Sequence, residues 1–113
     1  MRRVASALVL LAALLPAACQ QAQPLPPDKA QYAGHWRGGT VDLIIHPEGR
    51  VEYTRREGKG VVEVSGPVGW QGDDFVVAVM VVKTKFDVSE PPHEEDGLWV
   101  MTVDGVELTR IAP

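Results

Sequence analysis

The sequence predicts an all-β protein: a small antiparallel β-barrel or curved β-sandwich of about six to eight strands, behind a signal peptide and a disordered stalk. Three observations carry this expectation. Apolar and polar residues alternate along much of Tyr32–Ile111, the period of a strand. Turn signals rich in Gly, Pro and Asp interrupt that alternation at short intervals. No stretch of the domain spaces its apolar residues as a helix does. The expected organisation is residues 1–18 as signal peptide, 19–31 as lipidated N-terminus and stalk, and 32–113 as one β-domain.

The signal comes first. Arg2 and Arg3 precede an uncharged apolar run from Val4, which ends in Pro16-Ala17-Ala18-Cys19. A basic start, a short apolar middle and small residues at the end are the parts of a secretory signal peptide. As a helix, Val4–Cys19 spans only about 24 Å, whereas a bilayer core is about 30 Å thick. Ala17, Ala18 and Cys19, with Leu15 upstream, resemble the lipobox of bacterial lipoproteins; Pro16 departs from it, standing where that family favours Leu. The resemblance implies cleavage before Cys19 and a diacylglycerol on its sulfur. Chemistry agrees, because a secreted chain with one cysteine can form no internal disulfide. More than one acyl chain makes attachment stable. Gln20 follows the cysteine, and by the same resemblance favours the outer membrane over the inner one. The expected location is the cell envelope, anchored and facing the periplasm or the cell surface.

Removing residues 1–18 takes away Arg2 and Arg3 and leaves 9 basic against 15 acidic residues, a net charge of −6. Nucleic acid needs a basic face, so it is excluded as a partner. Cys19–Gln31 contains three prolines and four glutamines and little that is apolar. Such a segment is expected to stay extended and to hold the domain up to about 35 Å from lipid.

The domain then reads in order. Val41, Leu43 and Ile45 form a strand, His46-Pro47-Glu48-Gly49 a turn, and Val51 and Tyr53 the returning strand. Glu57-Gly58-Lys59-Gly60 turns again into Val62 and Val64, and Gly66-Pro67-Val68-Gly69 is expected to break that strand. After Trp70 and the Gln71-Gly72-Asp73-Asp74 turn, Phe75–Val82 is apolar without interruption, which suits a central strand or one with a partner across its outer face. A bend or tight turn is expected near Met80–Lys85, with Phe86 and Val88 on a separate strand. Ser89–Gly97 reads as an exposed acidic loop, because Pro91 and Pro92 exclude a regular interior strand. Asp104-Gly105 suits a two-residue type I′ turn, which sets Val103 opposite Val106, Met101 opposite Leu108 and Trp99 opposite Arg110. Gly34-x-Trp36 at the first strand, followed by a hairpin, resembles the opening of lipocalin-like β-domains. That likeness bears on the fold alone, since lipocalins are about twice as long and their cavity does not carry over.

No catalytic set emerges. His93-Glu94-Glu95-Asp96 is the densest group of metal-ligand types, yet it lacks zinc-protease and calcium-loop spacing and reads as a solvated loop. His35 and His46 would lie about 33 Å apart on a straight strand. Glu52 and Glu63 form a possible carboxylate pair on neighbouring strands, and Arg55-Arg56 a small basic spot. Ser65 and Ser89 lie in no nucleophile elbow. Accordingly no metal and no cofactor is expected. The reading is a lipid-anchored, non-catalytic interaction module. It meets the membrane through acylated Cys19, and an envelope protein or a second copy through Val76, Ala78, Met80 and Val82. The alternative is a small carrier of an apolar or amphipathic ligand with Trp36, Trp70 and Trp99 along a pocket.

Overall fold

The computed structural model describes residues 21–113. Cys19 and the signal segment lie outside the described residues. A short 3-10 helix, Pro27–Tyr32, leads into nine strands: β1 Gly34–Gly38, β2 Val41–Ile45, β3 Arg50–Glu57, β4 Gly60–Gln71, β5 Asp74–Val79, β6 Val82–Phe86, β7 Val88–Glu95, β8 Leu98–Val103 and β9 Val106–Ala112. They form one curved, half-barrel sheet in the order β6-β5-β4-β3-β2-β1-β9-β8-β7. Every pairing is antiparallel.

This order has a simple logic. Consecutive strands are hairpin neighbours except β6 and β7, which do not pair, and β9 returns to pair with β1. Because all pairings are antiparallel, β6 and β7 run in the same direction. Only Asp87 separates them, so the chain passes from one sheet edge to the other without reversing. Both sides of that corner are tied down. The Val88 N–H donates to Asp74 Oδ1 at 2.7 Å and the Asp87 N–H to Asp104 Oδ1 at 2.9 Å.

Six hairpins use two-residue turns, and in the five whose turn contains a glycine the register follows from turn chemistry. Asp104 and Gly105 both have positive φ, 49° and 80°, as a type I′ turn requires, and the expected Val103–Val106 and Met101–Leu108 pairs form. The four-residue His46–Gly49 turn likewise closes the β2–β3 hairpin, with the Gly49 N–H donating to the His46 carbonyl.

Inward-pointing side chains fill the concave side. Trp36, Leu43, Val51, Phe75, Val77, Met101 and Leu108 are wholly buried. An aromatic run crosses it: Tyr53 meets Phe86 edge-on at 4.7 Å, Phe86 stacks on Phe75 at 4.9 Å, and Trp70 lies 5.9 Å from Phe75 and 4.7 Å from Tyr32. Such ring pairs contribute about 0.5–1.5 kcal/mol each beyond the area they bury.

Four expectations are corrected. The strand count exceeds the expected six to eight because Ser89–Gly97 is not a loop. Most of it is β7, an edge strand with irregular register between Val88 and Glu90 and between Glu90 and His93. An edge tolerates prolines and charges that an interior strand would not. Second, β4 is not broken at Gly66–Gly69. It runs through twelve residues and changes partner, pairing with β3 up to Pro67 and with β5 from Val68. Third, Phe75–Val82 is not a central strand. It is β5, a turn at Met80-Val81, and the start of edge strand β6; the expected turn holds, but Phe86 and Val88 do not share a strand, since Phe86 ends β6 and Val88 begins β7.

Fourth, the described part of the stalk lies against the domain. Leu25 packs on the core, and its N–H donates to the Pro47 carbonyl at 3.0 Å. A Cβ on Gly49, whose φ is +98°, would sit 1.8 Å from the Gln23 carbonyl oxygen, so the two backbones touch. Tyr32 is buried and donates its hydroxyl to the Asp73 carbonyl at 2.8 Å. Burial, reinforced by Asp73, Asp74 and Asp28, pushes the Tyr32 hydroxyl up to about 12. Composition alone suggested disorder; Leu25, which finds tertiary partners, decides otherwise.

Candidate interaction surface

The candidate surface and pocket residues divide into three groups. Val76 and Ala78 point outward from β5, alternating with the buried Phe75 and Val77. With Trp70, Val68, Lys83, Gln21 and Gln23 they line a shallow cleft of about 400 Å³. The N-terminal segment therefore covers part of the outer face for which a partner was expected. Trp70 forms one wall and is held by its contacts with Tyr32 and Phe75 and by Lys29, whose ammonium lies 5.4 Å from the ring centre.

Met80 and Val82 stand apart from this cleft, at the free end of the β5–β6 hairpin. The rung Ala78–Lys83 is followed by Val79–Val82, and Met80-Val81 makes the turn. Their exposures are 39% for Val79, 83% for Met80, 94% for Val81 and 60% for Val82. Four consecutive apolar residues in water cost hydrophobic free energy, and nothing among the described residues covers them. The sequence showed the apolar run but not its exposure, because an unbroken run reads equally as a buried strand.

Trp36 and Trp99 belong to neither group. The Trp36 ring is fully buried and donates Nε1–H to the Tyr32 carbonyl at 2.9 Å. The Arg110 guanidinium carbon lies 5.0 Å from the Trp36 ring centre and 5.1 Å from that of Trp99, so the cation sits between two rings. Gly34 makes room for it. With φ at +138°, a Cβ there would lie 3.0 Å from the Ala112 carbonyl and 3.1 Å from Arg110 Nε. The Gly34-x-Trp36 motif thus serves packing around Arg110. Burial lowers the pKa of Arg110. Of the three tryptophans, Trp70 lines the cleft beside Val76 and Ala78.

The polar candidates resolve into local pairs. His35 Nε2 lies 2.9 Å from Asp42, which also accepts from Arg37 at 2.8 Å, and His46 Nε2 lies 2.6 Å from Glu52. The two histidines are therefore engaged separately. Glu52 is level with Ser65 and Glu63 with Thr54, so the two carboxylates do not face one another across the ladder. Arg55 binds the Glu57 carboxylate and the Tyr53 hydroxyl, and Arg56 borders a cleft with Arg37, Thr40 and Asp42.

On β7 the chain brings together Glu90, His93 and Glu95, with one ligand atom from each within 4.8 Å of the others. Glu94 and Asp96, which the sequence grouped with His93, are not among them. The register irregularity after Glu90 places it beside His93. A hydrogen bond to the Pro91 carbonyl raises the pKa of His93, and Glu95 and Glu90 add to it while partial desolvation opposes. The imidazolium so favoured is already matched by two exposed carboxylates.

No helix among the described residues is long and apolar enough to cross a membrane. No protein-family model, curated protein or solved structure compared with the chain matches it.

Proposed function

We propose that the chain is a lipid-anchored protein of a bacterial cell envelope, and that its β-domain is a non-catalytic interaction module. Acylated Cys19 supplies the attachment, on the strength of the Arg2-Arg3, apolar-run and Ala17-Ala18-Cys19 pattern. The contact element is the β5–β6 hairpin. The single observation that carries this reading is the exposure of Val79–Val82 at its tip, beside a core closed by Trp36, Phe75 and Phe86.

The carrier alternative calls for a pocket shared by the three tryptophans. Trp36 lies fully buried beneath Arg110 and Trp70 belongs to the cleft on the other flank, which favours the interaction module. Titrating the intrinsic tryptophan fluorescence with phospholipids, fatty acids and quinones decides between the two. The module gives no saturable change from Trp36, checked by repeating the titration with Trp70→Phe. A saturable change that survives Trp70→Phe supports the carrier.

A further inference from the structure

We propose that the Val79-Met80-Val81-Val82 tip inserts into the interface of the lipid bilayer to which the chain is tethered, so that the domain lies on the membrane instead of standing away from it. This rests on the acylation of Cys19 proposed above.

The first argument is the turn itself. In all six two-residue hairpins the first turn residue has a positive φ, between 49° and 63°: Gly39, Gly58, Gly72, Met80, Asp96 and Asp104. Five of the turns contain a glycine: Gly39-Thr40, Gly58-Lys59, Gly72-Asp73, Asp96-Gly97 and Asp104-Gly105. Only the sixth, Met80-Val81, has neither glycine nor a polar side chain. A left-handed Met is disfavoured, and a β-branched neighbour gives the turn no help. The chain therefore accepts a backbone penalty and a solvation penalty at one point, and rule-breaking of this kind concentrates at functional sites.

The second argument is position. The described chain begins at Gln21, in the cleft that also contains Ala78 and Lys83. Those two residues form the rung immediately below Val79–Val82. Two residues of chain reach at most about 7 Å, so a tether at residue 19 starts within about that distance of Gln21 and the cleft it lines. An acyl group there brings the lipid surface to the base of the tip.

The third argument is charge. Lys83 and Lys85 sit just behind the apolar tip on β6, both exposed. Lys85 lies 3.7 Å from Asp74 and 3.8 Å from Asp87, while Lys83 has no ion pair among the described residues. An apolar end backed by lysine matches the layering of a bilayer, with hydrocarbon inside and anionic headgroups outside. The overall charge of the mature chain is negative, so the attraction is local to this hairpin.

The test uses the full acylated chain, purified from its host membranes and reconstituted in vesicles of phosphatidylcholine and phosphatidylglycerol. A nitroxide is attached at Val81→Cys and, as a control, at Lys59→Cys in the β3–β4 turn. That control lies at the other end of the β3–β4 hairpin from Gly49, the glycine Gln23 touches. Collisions with oxygen, which concentrates in lipid, and with a water-soluble nickel chelate are compared by electron paramagnetic resonance. Insertion predicts a several-fold higher oxygen-to-nickel ratio at residue 81 than at residue 59. Equal ratios, with one label per chain, overturn insertion and leave the anchor standing. Two labels per chain reveal a free Cys19 thiol and overturn both. A residue 81 open to nickel in pure-lipid vesicles, yet shielded from both reagents in native membranes, assigns the tip to a protein partner and also overturns the proposal.

Discussion

The guanidinium carbon of Arg110 lies 5.0 Å from the centre of the Trp36 ring, which joins the last strand to the first across the β9–β1 seam. The same side chain donates to the Gln31 carbonyl at 2.7 Å, fixing the end of the 3-10 helix, and faces Trp99 on its other side. One residue of β9 thus contacts three other elements. Its buried Nε has no partner among the described residues, which offsets part of the gain. Arg110→Met should lower stability by about 2 kcal/mol, from the lost cation–π contacts and a charge-assisted hydrogen bond. Chemical denaturation measures this. Arg110→Lys should fall close to Met, since an ammonium cannot lie flat between two rings.

Met80→Gly should act in the opposite direction. Glycine adopts φ near the observed 57° without steric cost, so stability should rise by about 1 kcal/mol. For a domain of this size that is a gain in Tm of roughly 4–8 °C, measurable by calorimetry. A variant that is more stable but holds vesicles less closely would separate what the turn does for the fold from what it does at the surface.

Gly49→Ala should displace the N-terminal segment. The added methyl would meet the Gln23 carbonyl at a distance no real contact has, in a backbone conformation that alanine resists. Loss of the Leu25–Pro47 hydrogen bond and of Leu25 packing should follow. Limited proteolysis checks it: cleavage around residues 21–26 should become faster while the β-sheet stays resistant.

Two pH effects follow from local pairs. At Asp42 burial pushes the carboxyl pKa up, but hydrogen bonds from Arg37 and His35, with their charges, outweigh it and hold it below its ordinary 3.8. A depressed carboxylate contributes stability above its unfolded pKa and loses it as pH falls through the folded one. Arg37→Ala should therefore raise the Asp42 midpoint, read from its side-chain NMR titration in acid. His93 has the opposite sign. Its raised pKa gives a contribution complete below 6.5 and lost as pH climbs through the folded value. Glu95→Gln should move the His93 midpoint down.

Much of the sheet was legible where turn chemistry is local. Asp104-Gly105 dictated its own register, and His46-Pro47-Glu48-Gly49 its own reversal, because a few backbone angles settle both. Asp96-Gly97 carries the same signal as Asp104-Gly105, with φ of 54° and 83°, but Pro91, Pro92 and the surrounding carboxylates obscured the strand before it. Only the knowledge that β7 lies at an edge makes those residues compatible with pairing. Leu25 gave no local hint of its contacts, and a single apolar residue among prolines and glutamines never does. The candidate surface was half legible: Val76 and Ala78 do face outward, while the exposure of Met80 and Val82 depends on where the hairpin turns. Val81, the most exposed large apolar side chain among the described residues, went unnoticed because it falls out of phase with the other four.

Intact-mass spectrometry of the protein from its native host tests the central claim most directly. Lipid anchoring predicts a chain that begins at Cys19 and carries the added mass of a diacylglycerol, with or without a further acyl group. A chain that retains Met1, or that begins at residue 19 with an unmodified thiol, contradicts it.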